Sequence, residues 1–336
     1  MHLFPGVMEH KFSESVCFLC GCDLSPNNRS DEHVIPKWIQ ARFDLMNQRL
    51  TLLNGTTIPY RQLTVPCCRT CNNEALSQVE NEVRQAVNVG AEAVSELDSR
   101  TLFVWLGKIF FGLLYRELFL KTDQRHPDSG PIVTAEQLSS YQMHHYFLQS
   151  CRVSMNFDSM DAEYPWTIYV FKLQSINRNP YDWDIKDDVN HSTLSLRMGE
   201  IGFLAAFDGG AIAVDAGDSF LKFSDHTLHP IQFDELTAAF FYKARLFSGT
   251  PKYIVSESPS SIQVTLMPIA GLSTTPVFNQ WEPEIFAQAF SFFSGIPKEQ
   301  LTPEPGRMLT LLRREDGEFC HMDLREHPYR GITAAI

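Results

Sequence analysis

Two cysteine pairs carry the strongest chemical signal in the chain, Cys17-Phe18-Leu19-Cys20 and Cys68-Arg69-Thr70-Cys71. Four thiolates spaced this way can close a tetrahedral shell around Zn2+ and leave no open position for a substrate. A zinc ion so held would pin together two stretches that are far apart in sequence. Between the pairs runs Asp31-Glu32-His33-Val34-Ile35-Pro36, and Asn72 follows the second pair directly. Glu32, His33 and Asn72 are the chemical types that a hydrated divalent cation and a base need. Asp31 competes with Glu32 as the acid, and Asn72 also suits a helix cap.

The neighbouring thiols leave the ligand set open. Cys67 could stand in for Cys68, and Cys22 for Cys20. The two-residue spacing favours Cys17, Cys20, Cys68 and Cys71. Six of the eight cysteines lie between residues 17 and 71, which reads as a metal site and not as a disulfide framework. Free thiols suit a reducing compartment. The start, Met1-His2-Leu3-Phe4-Pro5-Gly6, lacks the basic and apolar regions of a signal peptide, so a cytoplasmic protein is expected.

Together, Cys17-x2-Cys20, Glu32-His33-Val34-Ile35-Pro36 and Cys68-x2-Cys71-Asn72 resemble an HNH endonuclease of the zinc-stapled ββα-metal kind. The resemblance covers residues 15–85. It implies that His33 is the general base, that Glu32 and Asn72 hold a catalytic Mg2+ or Mn2+, and that the zinc is structural. It also implies a residue that steadies the base, for which Asn54 and Gln62 both stand in the intervening segment. No lysine stands shortly after Asn72, where Asn73-Glu74-Ala75-Leu76 follows, so the phosphate would fall to Arg61 or Arg69. The implied substrate is duplex DNA, with RNA a further option, and the family occurs in restriction and in bacterial defence against phage. A single such site cuts one strand at a time, so a double-strand break needs a homodimer or two events. The competing reading is a non-catalytic zinc scaffold that binds nucleic acid or protein.

The chemistry of cleavage agrees with these residue types. A neutral histidine can take the proton of a water attacking phosphorus. A hard cation on oxygen ligands offsets charge on the phosphate and the leaving oxygen.

The elements that must position these residues follow from pattern. Glu32–Ile35 reads as a strand ended by Pro36, Lys37–Leu50 as a helix, and Asn54-Gly55 as a turn. Tyr60–Val65 reads as a strand leading to the second pair. From Asn72, Leu76, Val79, Val83 and Ala86 repeat at helical spacing, with Glu80 and Glu82 facing water. Residues 102–120 are apolar, but Lys108, Arg116 and Glu117 interrupt them too closely for a membrane span. A buried helix is expected there. Thr134 with Gln137 makes a capping box for a helix through Cys151. His144-His145 and Cys320-His321 read as structural, not as a second metal site.

Further on, Trp166–Leu173, Leu194–Gly199, Ile201–Phe207 and Ala211–Val214 read as strands, and 177–190 as loop. Phe233–Phe247 reads as a helix with Asp234 and Glu235 in its first turn. Tyr253–Ser256 and Ile262–Pro268 read as strands, and Glu282–Phe293 as a helix. Met308–Arg313 and Phe319–Leu324 flank a turn at Asp316-Gly317. The fold class is α+β: an N-terminal ββα-metal module over 1–98, a helical segment over 99–155 and a mixed domain over 156–336.

The chain has 336 residues and a net charge of −12. Residues 1–90 carry eight basic and nine acidic side chains, so nearly all the excess acid lies beyond them. That balance argues against binding nucleic acid by bulk electrostatics. It suits a near-neutral module joined to an acidic domain that regulates, dimerises or binds a protein partner.

Overall fold

The computed structural model describes residues 12–123, 125–175, 182–270, 276–304 and 308–329. The fold is mixed α+β. The chain divides into two units, one of Met1–Asn88, Leu97–Asn156 and Ser256–Gln263, the other of Val89–Glu96, Phe157–Val255 and Val264–Ile336. This division differs from the sequence reading. The segment 99–155 is not a separate layer but part of the first unit, and 256–263 joins it from far along the chain.

In the first unit, β1 (Arg29–His33) precedes α1 (Lys37–Arg42). The expected helix to Leu50 stops early because Asp44 takes a positive φ of 52°, which ends helical hydrogen bonding. β2 (Arg49–Thr51) and β3 (Thr57–Pro59) form a hairpin around Asn54-Gly55. A 3-10 turn over Tyr60–Gln62 then replaces the first half of the expected strand. β4 (Thr64–Cys68) runs antiparallel to β1 and carries Cys67 and Cys68. Cys71–Leu76 is a π-helical turn that runs into α2 (Ser77–Val89).

The short α3 (Ala91–Ser95) belongs to the second unit. The apolar run forms α4 (Ser99–Glu117), whose N-cap Asp98 accepts from the Arg100 N–H at 2.7 Å. Nearly all of α4 is buried, Lys108 included. Burial on every side matches the lack of a polar face in its sequence. Among the described residues no helix is long and apolar enough to cross a membrane. Gly112 lets α4 approach the Glu32–Pro36 string, since a Cβ there would lie 3.1 Å from the Val34 methyls. The Thr134–Gln137 capping box is present. The helix it starts breaks into α5 (Ala135–Ser139) and α6 (Gln142–Leu148).

Of the strands that follow, β5 (Met155–Ser159) comes first. The second unit is built on a five-stranded sheet. Its strands are β6 (Thr167–Leu173), β7 (Trp183–Asp188), β8 (Thr193–Met198), β9 (Ile201–Ala206) and β10 (Thr227–Leu228), in the order β10-β6-β9-β8-β7. β8 and β9 are buried at every position, as central strands covered on both faces are. β7 occupies part of the expected loop over 177–190, of which 177–181 lie outside the described residues. Its polar sequence, Trp-Asp-Ile-Lys-Asp-Asp, hides it from a hydrophobic pattern.

Ala211–Val214, expected as a strand, opens α7 (Ala211–Leu221). Asp208 decides this by accepting from the Gly210 and Ile212 N–H groups at 3.0 and 2.7 Å. α8 (Pro230–Leu246) begins one turn earlier than expected, with Pro230 in its first turn and His229 as its cap. Asp234 and Glu235 therefore sit deeper in the helix and are buried. The core joins Tyr169, Phe171 and Leu204 of the sheet to Phe220 of α7 and Phe233, Leu236 and Phe240 of α8. α9 (Pro283–Ser294) packs on α8 through Phe286 and Phe290. The expected C-terminal hairpin is reduced to a single bridge, Arg313 with Phe319.

Candidate metal centre and histidine site

The Sγ atoms of Cys17, Cys20, Cys68 and Cys71 lie within 4.8 Å of one another, the one group of three or more metal-ligating His, Cys, Asp or Glu among the described residues. A tetrahedral shell with Zn–S bonds of about 2.3 Å needs sulfurs roughly 3.8 Å apart. Cys20 and Cys68 are 3.8 Å apart. The backbone is shaped for the ion as well. Gly21, at φ 72°, lets its N–H return to the Cys17 carbonyl at 2.8 Å. The Cys71 N–H points at the Cys68 sulfur at 3.4 Å. The donor set thus fits a structural zinc held by the four cysteines that two-residue spacing favoured. Cys67 lies beside them, 3.8 Å from Cys17, and the Cys17 interaction pushes its thiol well above the usual range.

The first cysteine loop is held from behind by α6 and by Gln149, the C-cap of that helix. His145 Nε2 is 2.6 Å from the Phe18 carbonyl, and Gln149 Nε2 donates to the Leu19 carbonyl at 2.6 Å. His144 contacts the Gly107 carbonyl at 2.9 Å through Nε2. Burial drives its pKa down to about 4. The His144-His145 pair is structural, as its sequence setting suggested.

His33 ends β1 and is half-buried. Burial lowers its pKa, and Lys37 and Lys108 push the same way. Its ring is therefore neutral at pH 7 and able to accept a proton. Asn72, in the π-helical turn, donates to Ser30 Oγ at 2.9 Å and to the Asp31 carbonyl at 3.4 Å. The structure therefore ties the helix start after the second cysteine pair to the strand that carries His33.

Glu32 is placed otherwise than expected. Successive residues of a strand face opposite sides, so Glu32 points inward, opposite Val65, while His33 pairs with Thr64. Glu32 Oε1 accepts from the ammonium of Lys108 at 2.6 Å. The same ammonium donates to Glu80 Oε1 at 2.7 Å and to the His33 carbonyl at 3.0 Å. Burial raises the Glu32 pKa to about 6 despite the Lys108 charge. Burial alone would favour a neutral Lys108, but the two carboxylates outweigh it and hold the amine charged. Glu32 therefore does not fit the expected place of a Mg2+ or Mn2+ ligand. Glu80, expected to face water, turns out to be part of this cluster. Sequence reasoning missed Lys108 and Glu80; the available signal was a lone lysine inside an apolar helix.

The remaining expected residues scatter. Asn54 closes its own turn, accepting from Thr56 N–H at 3.0 Å and donating to the Thr122 carbonyl at 2.8 Å. Its hydrogen-bond partners are thus in its own turn and at Thr122, not at His33. Gln62 is exposed in the turn before β4, two residues from the Thr64 that pairs with His33. Arg61 is bonded to Asn47 and to the Met46 carbonyl. Arg69 is exposed, and its side chain has no partner among the described residues. Asp31, the competing acid, pairs with Arg29 at 3.4 Å on the surface.

Compared with models of protein families, with curated proteins and with solved structures, the chain matches none. What the fold and site define is an α+β protein with a four-cysteine centre compatible with structural zinc and a neutral histidine on the adjoining strand.

Proposed function

We propose that the first unit is an HNH-type module that hydrolyses phosphodiester bonds, with duplex DNA as substrate and His33 as general base. The observation that carries this reading is the neutral, half-buried His33 at the end of β1, on the strand to which Asn72 ties the helix start. The four-cysteine centre supports it by fixing β4 and the π-helical turn. In this reading His33 takes the proton of a water that attacks phosphorus in line with the leaving oxygen. Arg69 is free to meet a phosphate, whereas Arg61 is spent on Asn47. A hard divalent ion would supply charge stabilisation at such a site, but Glu32 Oε1 is bound to Lys108.

The test is plasmid cleavage by the zinc-loaded chain with Mg2+, Mn2+ or chelator, beside His33→Ala. Nicking or linearisation is expected, with a loss of roughly 10²–10⁴-fold in the variant, the usual worth of a general base. Unchanged cutting by His33→Ala would overturn the mechanism. RNA cleaved in preference to DNA would keep the mechanism and change the substrate.

The Glu32–Lys108 ion pair favours a second reading, a zinc-stabilised scaffold without catalysis. Retarded DNA on a gel with no cleavage under any metal condition would select it.

A further inference from the structure

We infer that Lys108 is the resident cation of the candidate site: its ammonium fills an oxygen cage made by Glu32, Glu80 and the His33 carbonyl, and so positions the strand end that carries His33. Three oxygens converge on one nitrogen, at 2.6, 2.7 and 3.0 Å. They come from β1 and α2, and the cation comes from α4, so three elements meet at a single charge. Two carboxylates and a carbonyl are the donor set that a hard metal ion would use. An ammonium has three N–H donors, and here each has an acceptor. Lys108 is 2% exposed, so it touches no substrate and acts as a positioning residue through the His33 backbone. Helix α4 delivers this charge to a fixed point, because it is packed on all sides and capped by Asp98. The centre therefore has a tethered cation where the sequence led one to expect an exchangeable one. Only what Lys108 positions rests on the proposed function; the filling of the cage does not.

The test uses the full zinc-loaded chain. Mn2+ binding is measured by electron paramagnetic resonance for the wild type and for Glu32→Gln. The two are expected to agree within twofold, since Glu32 is buried and its Oε1 is held by Lys108. A tenfold or greater weakening in Glu32→Gln would overturn the inference, because Lys108 would then have yielded Glu32 to the metal. In a second arm, Lys108→Ala is expected to lower Tm, and propylammonium, which restores the missing amine, to raise it again. Lys108→Met combined with Glu32→Gln and Glu80→Gln removes all three charges and is expected to ignore the amine. A Lys108→Ala protein with wild-type Tm, or one that propylammonium does not restore, would also overturn the inference. Should Lys108→Ala fail to fold, the Mn2+ arm on the wild type still decides. If the chain cleaves DNA, propylammonium is expected to restore the kcat lost in Lys108→Ala; a chain that never cleaves would refute the nuclease reading and leave both binding arms intact.

Discussion

Glu32 in the first unit and Glu235 in the second are buried acids with different kinds of partner. In the first, Glu32 and Glu80 close on the ammonium of Lys108, and four thiols close on one another. In the second, Glu235 is buried with neutral donors only, accepting from the Leu311 N–H at 2.7 Å and from the Thr310 hydroxyl at 2.5 Å. Asp208 is buried likewise, on N–H groups and the Thr167 hydroxyl. Opposite charge keeps an acid ionised, whereas neutral donors compensate burial only in part. Accordingly Glu235, raised by burial to about 7, departs further from its ordinary value than Glu32 at about 6. The first unit thus sets Glu32 and Glu80 against one cation, whereas the second holds Glu235 and Asp208 on neutral donors and keeps cations for Asp234, which meets Lys186 at 3.3 Å.

The largest contrast should come from metal removal. Structural zinc is worth about 10–16 kcal/mol of apparent binding free energy in small zinc-dependent folds. Chelation, or Cys68→Ser, should therefore cost the first unit far more than the second. Hydrogen exchange would check this by following α4 amides beside β9 amides. Equal loss of protection in both would break the comparison.

The next contrast is in the sign of the pH dependence. His144 has a folded pKa of about 4 against 6.5. The unfolded chain thus binds the extra proton, and this contribution is complete above 6.5 and lost as pH falls through about 4. Glu235 has a folded pKa of about 7 against 4.5. Its contribution is complete below 4.5 and lost as pH rises through about 7. Each amounts to about 3 kcal/mol at full effect. Denaturant unfolding of Glu235→Gln should be flatter than wild type between pH 4.5 and 7. His144→Gln should be flatter between 6.5 and 4. The same slope in both variants would remove the distinction.

The smallest contrast concerns packing. A Cβ on Gly202 of β9 would lie 2.6 Å from the Phe233 ring, whereas one on Gly112 of α4 would meet Val34 at 3.1 Å. Overpacking of this kind typically costs about 1–3 kcal/mol. Gly202→Ala should fall within that range and Gly112→Ala below it, where gained helix propensity offsets part of the clash. Thermal unfolding of both variants checks the order.

Local signals carried much of the structure. Cys17-x2-Cys20 and Cys68-x2-Cys71 marked the four-cysteine cluster because each two-residue spacing is a property of a few consecutive residues. The apolar run became α4, and the Thr134–Gln137 box capped a helix, for the same reason. Where the signal was weak or shared, the reading failed. Ala211–Val214 is apolar enough for a strand, and only Asp208, by capping the N–H groups that follow it, makes it a helix. β7 is polar and was hidden, because its strand character comes from pairing with β8. The site divides along the same line. Sequence placed Glu32 and His33 side by side but could not say that they face apart. Lys108 stands 76 residues from Glu32 and 28 from Glu80. No local pattern links residues that far apart. By itself the sequence determined the four cysteines that cluster, the buried helix and the class of fold, all governed by short-range spacing and hydrophobic period. The tertiary structure alone decided which cation Glu32 would meet, because the cost of a buried charge is settled only by what packs against it.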